Sequence, residues 1–138
     1  MIDYVIKRID GRLEIVNDNT VTIIDQALMG YLNHLANQSL RKIDTILKLT
    51  RKRIGCSQKV PIYIHSKLLL MQYYPLRAKT SLLINYFAIA QIIYDKEDNF
   101  TIYFKSGASL KMEDQLRIIK QIKMVKKIID SLDSNVLK

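Results

Sequence analysis

Apolar and polar residues alternate over the first 25 positions. YVIKRI, RLEIV and TVTIID are short and rich in β-branched residues, and Gly11 and Asn17-Asp18-Asn19 supply turn chemistry between them. This pattern predicts three strands. Residues 26–38, QALMGYLNHLANQ, have apolar spacing that allows a helix, but Gly30 and the amides Asn33, Asn37 and Gln38 weaken it, so the stretch reads as a loop or short helix. The period then changes. In SLRKIDTILKLTRKRI (39–54), Leu40, Ile43, Ile46, Leu47 and Ile54 recur at helical spacing and predict one buried stripe. Ser39 is the expected N-cap, and Gly55 the left-handed residue that ends the helix.

After Pro61 the pattern returns to strands: IYIH, KLLLMQY, SLLIN, AIAQIIY, FTIYFK and SLKM. They are broken by Tyr74-Pro75 and the loop LRAKT, by DKEDN, and by KSGAS. A proline at a strand start is tolerated because it need not donate there. Residues 113–132, EDQLRIIKQIKMVKKIIDSL, predict a final helix with Glu113 and Asp114 in its first turn and Lys126 and Lys127 near its end. Leu116, Ile119, Ile122, Val125, Ile129 and Leu132 form its expected core stripe. The fold class is therefore α+β: an antiparallel β-sheet covered by a central basic helix (about 39–54) and a C-terminal amphipathic helix (about 113–132). No repeat or linker interrupts the chain, and 138 residues suit one domain, 1–138.

Charge changes the picture. The chain carries 22 Lys and Arg against 13 Asp and Glu, a formal net charge of +9. Between 41 and 59 stand Arg41, Lys42, Lys48, Arg51, Lys52, Arg53 and Lys59, against the single acid Asp44. Cations favour the last turn of a helix, but the dipole accounts for one or two of them and not for a stripe. Arg41, Lys48 and Lys52 are spaced to share a face away from the apolar stripe. Lys120, Lys123 and Lys127 form a lesser stripe on the last helix, where a solvated face is the plain reading. A polyanion that neutralises such charge is nucleic acid, an anionic membrane surface or an acidic protein; the bland alternative is a basic, solvated surface.

Other chemistry is missing. The four glycines are scattered singly, so no phosphate loop is present, and neither Cys/His metal spacing nor a Ser-His-Asp grouping can be argued. His34 and His65 have no spacing that links either to Cys56, the only cysteine, which forms no internal disulfide and suits a reducing cytosol. No apolar run reaches the roughly 18 residues that span a bilayer, and the N-terminus is too mixed for a signal peptide. The expectation is a cytoplasmic binding protein, with no enzymatic activity, cofactor or metal.

The run from Ser39 to Ile64 resembles ComK, the competence transcription factor family of Firmicutes. That family has a basic, Gly/Ser-led helical segment followed by a K-x-P-I strand; Ser39, Arg41, Thr45, Lys59, Pro61 and Ile62 meet the pattern. Leu70 to Pro75 resembles the family's apolar strand ending in proline, Ser81 to Ile89 its next strand, and Asn99 to Gly107 its hairpin with F-x-x-G. The resemblance covers about residues 20–127. Ser81 and Leu83 stand where the family usually has Cys and Trp, the loop PLRAKT is shorter, and the chain ends soon after its last helix, where longer members carry a tail tied to activation and regulated degradation. Residues 81–112 are also similar to the end of LytTR-type DNA-binding domains, through Ser81, Ile84, Asn85 and Gly107.

The ComK resemblance implies a single DNA-binding domain that binds AT-rich promoter DNA as a homodimer, largely through the minor groove, at the nucleoid. RNA polymerase or a regulatory adaptor protein is an implied partner. Arg41, Arg51, Arg53 and Arg77 are the candidates for groove entry, and Lys42, Lys48, Lys52, Lys59 and Lys79 for phosphate contacts. The alternative is an interaction protein that dimerises with a full-length regulator or binds an acidic protein or RNA.

Overall fold

The computed structural model describes residues 1–56 and 59–136. The N-terminal alternation forms β1 (Ile2–Lys7), β2 (Leu13–Asn17) and β3 (Thr20–Ile24). Asp18 and Asn19 both take positive φ, 49° and 63°, as a tight hairpin turn with right-handed strand twist requires. There follow α1 (Leu28–Gln38), α2 (Ile43–Ile54), β4 (Ile62–His65), β5 (Leu68–Gln72) and β6 (Ser81–Asn85). A short 3-10 turn at Tyr86–Ala88 leads to β7 (Ile89–Tyr94), β8 (Asn99–Phe104), β9 (Ser109–Glu113) and α3 (Gln115–Val136). The fold is α+β.

The strands divide into two antiparallel sheets rather than the one the alternation suggests. A six-stranded sheet has the order β3-β2-β1-β6-β5-β4, and a three-stranded sheet the order β7-β8-β9. Asn85 enforces the division. Its Nδ2 donates to the Ile2 and Lys67 carbonyls at 2.7 and 2.9 Å, and its Oδ1 accepts from Phe87 N–H at 3.3 Å, so β6 ends and the chain turns off the sheet.

Both faces of the large sheet are covered. Val5, Leu13, Ile15, Ile62, Leu68, Leu70 and Leu83 pack in one cluster with α1 and α2. Val16, Leu69, Met71, Leu82 and Ile84 pack in a second with the small sheet and α3. Burial on both faces is why KLLLMQ and SLLIN are unbroken apolar runs and not alternating ones.

The ambiguous stretch 26–38 is helical from Leu28 to Gln38. Leu28, Tyr31, Leu32, Leu35 and Ala36 form its buried face, and that packing overrides the poor propensity of Gly30 and the amides. Asn33 also has a structural use: its Oδ1 accepts from Ile43 N–H at 3.4 Å and caps α2 from the neighbouring helix. Ser39 therefore ends α1 instead of starting α2. Leu40 takes the left-handed conformation (φ 59°). Its N–H bonds to the Asn37 carbonyl, and that of Arg41 to the Ala36 carbonyl, both at 2.9 Å. That is the double closure usually built with glycine. Leu40 is 97 % exposed and stands outside the expected stripe, which instead consists of Ile43, Ile46, Leu47 and Thr50. At the far end the expectation holds: Gly55 has φ 66°, and Cys56 N–H returns to the Arg51 carbonyl at 3.2 Å.

The last helix also starts later than its acids suggest. Glu113 completes β9; Asp114, at φ 66°, precedes α3 and accepts from Arg117 N–H at 3.3 Å. The buried seam is Ile118, Gln121, Val125 and Ile128, while Leu116 is 59 % exposed. The seam is rotated because Gln121 satisfies backbone at the sheet edge. Its Oε1 accepts from Gln72 N–H at 2.9 Å and its Nε2 donates to the Lys59 carbonyl at 2.6 Å. Among the described residues, no helix is long and apolar enough to cross a membrane.

Candidate nucleic-acid interface

Sheet register gathers cations from distant parts of the chain at one end of the molecule. Lys7 pairs with Ser81 across β1 and β6, and its Nζ donates to the Leu76 carbonyl at 3.1 Å. Lys59, just before β4, donates through Nζ to the Tyr73 carbonyl at 3.2 Å. Arg117, in the first turn of α3, donates to the same carbonyl at 3.3 Å. The loop between β5 and β6, which carries the exposed Arg77 and Lys79, thus lies beside Lys59 and the start of α3.

A cleft of about 420 Å³ opens here, lined by Cys56, Lys59, Asp114, Arg117, Lys120 and Gln121 among others. Cys56 follows the last turn of α2, so the C-terminal end of that helix, where Arg51 and Lys52 stand, lies next to the cleft. Burial holds the Lys59 ammonium below its ordinary pKa, and the charges of Arg117 and Lys120 lower it further against the opposing pull of Asp114. Three cations thus share a cleft with one acid. Arg117 is fixed over the rings of Tyr73 and Tyr74 at 5.3 and 5.0 Å and bonded to Asp114 Oδ2 at 3.3 Å. The Tyr73 hydroxyl donates to the Glu113 carbonyl. Burial pushes that phenol up to about 12. Tyr63, Tyr73 and Tyr74 all serve packing: Tyr63 meets Phe87 edge-on, and Tyr73 meets Tyr74 and Phe100.

The nine sequence-derived candidates fall into two groups. Arg51, Lys52, Lys59, Arg77 and Lys79 belong to the cationic end, with Lys48 one turn back on the exposed face of α2. Arg41 and Lys42 stand before the first turn, and α2 is 12 residues long, so they lie roughly 18 Å away along its axis. Arg41 does not continue the Lys48–Lys52 face. It turns back onto β4, with Nη1 at 3.5 Å from the Tyr63 and Ile64 carbonyls and its guanidinium 5.8 Å from the Tyr63 ring centre. Arg53 shares the Thr45–Leu49 flank of α2, turned from Lys48 and Lys52.

Neutralisation separates the two kinds of basic residue. Arg8 and Arg12 in the β1–β2 hairpin are matched by Asp10 and Glu14, at N–O distances of 3.3 to 3.9 Å. Among the described residues, no ion pair engages Lys48, Arg51, Lys52, Arg77 or Lys79. Sequence reasoning missed Arg117. Its only local signal is one arginine in an amphipathic helix, and its approach to Lys59 comes from the docking of α3 on the end of β5. Among the described residues, no group of three His, Cys, Asp or Glu side chains is placed to hold a metal ion. No protein-family model, no curated protein and no solved structure matches this chain.

Proposed function

We propose that this protein is a ComK-like DNA-binding regulator that grips AT-rich duplex DNA with the cationic end of its large sheet. The observation that carries this reading is the convergence of Lys59, Arg117 and Lys120 on one cleft, with un-neutralised Arg51, Lys52, Arg77 and Lys79 around it. Like charges held together are tolerated more readily when a polyanion supplies the counter-charge. Lys48, Lys52, Lys79 and Lys120 set register on phosphates, and Arg51 and Arg77 are the residues for a narrow minor groove, whose negative potential attracts arginine. Arg41, Lys42 and Arg53 leave this set because they face elsewhere.

The dimer in this reading forms through β3. That edge strand, TVTII, is exposed along most of its length and holds no charge or proline to block edge-to-edge pairing. A second copy pairing antiparallel about a two-fold axis extends the sheet. Val21→Lys abolishes dimerisation in sedimentation analysis if this holds, and leaves it intact if the dimer forms elsewhere.

Fluorescence anisotropy on AT-rich and GC-rich duplexes of equal length, at several salt concentrations, tests the function. The four phosphate contacts give a slope of log K against log salt of about −3.6, with preference for the AT-rich duplex. Weak, equal binding to both duplexes refutes the reading.

A further inference from the structure

A second concavity has a different character. It lies between α2 and α3, with a volume of about 330 Å³. Thr45, Leu49 and Arg53, each four residues apart, line its α2 side, and Ile128 and Leu132 its α3 side, with Tyr63 of β4 between them. The cations Arg41, Lys42 and Arg53 border it, and no Asp or Glu is among its described lining residues. The basic cleft at the sheet end, by contrast, includes Asp114.

Two leucine side chains at this groove stand largely in water. Leu49 is 56 % exposed. Leu40 is 97 % exposed and holds a left-handed conformation, which strains a leucine and leaves a glycine unstrained. An apolar side chain kept in water on a strained backbone stabilises nothing within the monomer. A compact ligand inside the cavity leaves Leu40 wet, whereas a helix laid along the groove covers both leucines.

We infer that the groove between α2 and α3 is a docking site for an acidic amphipathic helix of a partner protein. Its apolar side chains enter between Leu49 and Leu132, and its carboxylates meet Arg41, Lys42 and Arg53. The ridges on both walls, spaced by four, match the i, i+3, i+4, i+7 anchors of helix-in-groove recognition. Charge complementarity sets the sign of the partner: a groove bordered by three cations, with no acid among its described lining residues, selects against basic helices. This site is separate from the DNA-binding surface and stands or falls independently of it.

The test uses the full chain, ¹⁵N-labelled, without DNA. It is titrated with a synthetic helix carrying leucines at i, i+3, i+4 and i+7 and glutamates elsewhere. A peptide of the same composition with leucines spread around the helix is one control, and dodecanoate the other. The expected result is saturable shifts confined to residues 40–53, 63 and 128–132 for the amphipathic peptide, with binding weakened at least tenfold by Leu49→Asp. Leu40→Asp weakens it as well, and its exposure ensures that the fold survives. Equal binding of the spread peptide means charge alone and overturns the inference. So do shifts outside the groove, no saturation by about 1 mM peptide, or saturation by dodecanoate alone.

Discussion

Gln121→Leu removes a buried polar side chain of similar size, and its cost can be worked from the structure. Gln121 is 1 % exposed. Its loss strands the Gln72 N–H, which is buried, and the Lys59 carbonyl, which is part-buried. A buried donor without a partner costs about 1–3 kcal/mol, and a part-buried carbonyl that still reaches water less, about 0.5–1. The leucine returns little, because its methyl groups enter a site shaped by hydrogen bonds. The net loss is about 1.5–4 kcal/mol, a drop in Tm on the order of 10 °C for a chain of this size. Urea unfolding followed by far-ultraviolet circular dichroism measures it, with an unchanged m-value showing that the variant still unfolds as one unit. Lys120→Gln, one position away and exposed, stays within about 0.5 kcal/mol. A loss for Gln121→Leu below about 0.5 kcal/mol refutes the claim that these two bonds hold α3 on the sheet edge.

Lys52→Ala with Lys79→Ala lowers the salt slope of DNA binding by about 1.8, at 0.9 per phosphate contact, with a stability change under about 1 kcal/mol; an unchanged slope places the DNA elsewhere. The Tyr73 phenol ionises near 12 in the folded protein, above the ordinary 10, so its contribution to stability is full below pH 10 and is lost as pH rises from 10 through 12. Ultraviolet titration shows that late step, and Tyr73→Phe removes it. Leu40→Gly relieves a left-handed leucine and raises stability by about 1 kcal/mol in urea unfolding. No gain means that Leu40 makes contacts in the folded state beyond those of its backbone.

Much of the local order was legible in the sequence. β-branched runs bounded by Gly, Asn and Asp mark the strands, and Gly55 and Asp18-Asn19 act as expected, because strand period and left-handed turns depend on neighbouring residues alone. The excess of cations at 41–59 is equally a property of the chain. What tertiary structure decided is the choice among locally equal options. Residues 28–38 are helical because Leu28, Tyr31, Leu32 and Leu35 find a sheet face to cover, and Ser39 ends that helix because Asn33 reaches across to cap the next. Gln121 lies in the core seam because two backbone groups of distant strands meet there, which no hydrophobic periodicity encodes. The same holds for the charges. Composition showed that they exist; the docking of α3 on the end of β5 set Arg117 and Lys120 beside Lys59, and the turn at Leu40 sent Arg41 to β4. Proximity between residues far apart in sequence is decided when the sheet and helices pack, because only then do solvent, counter-charge and backbone partners compete for the same side chain.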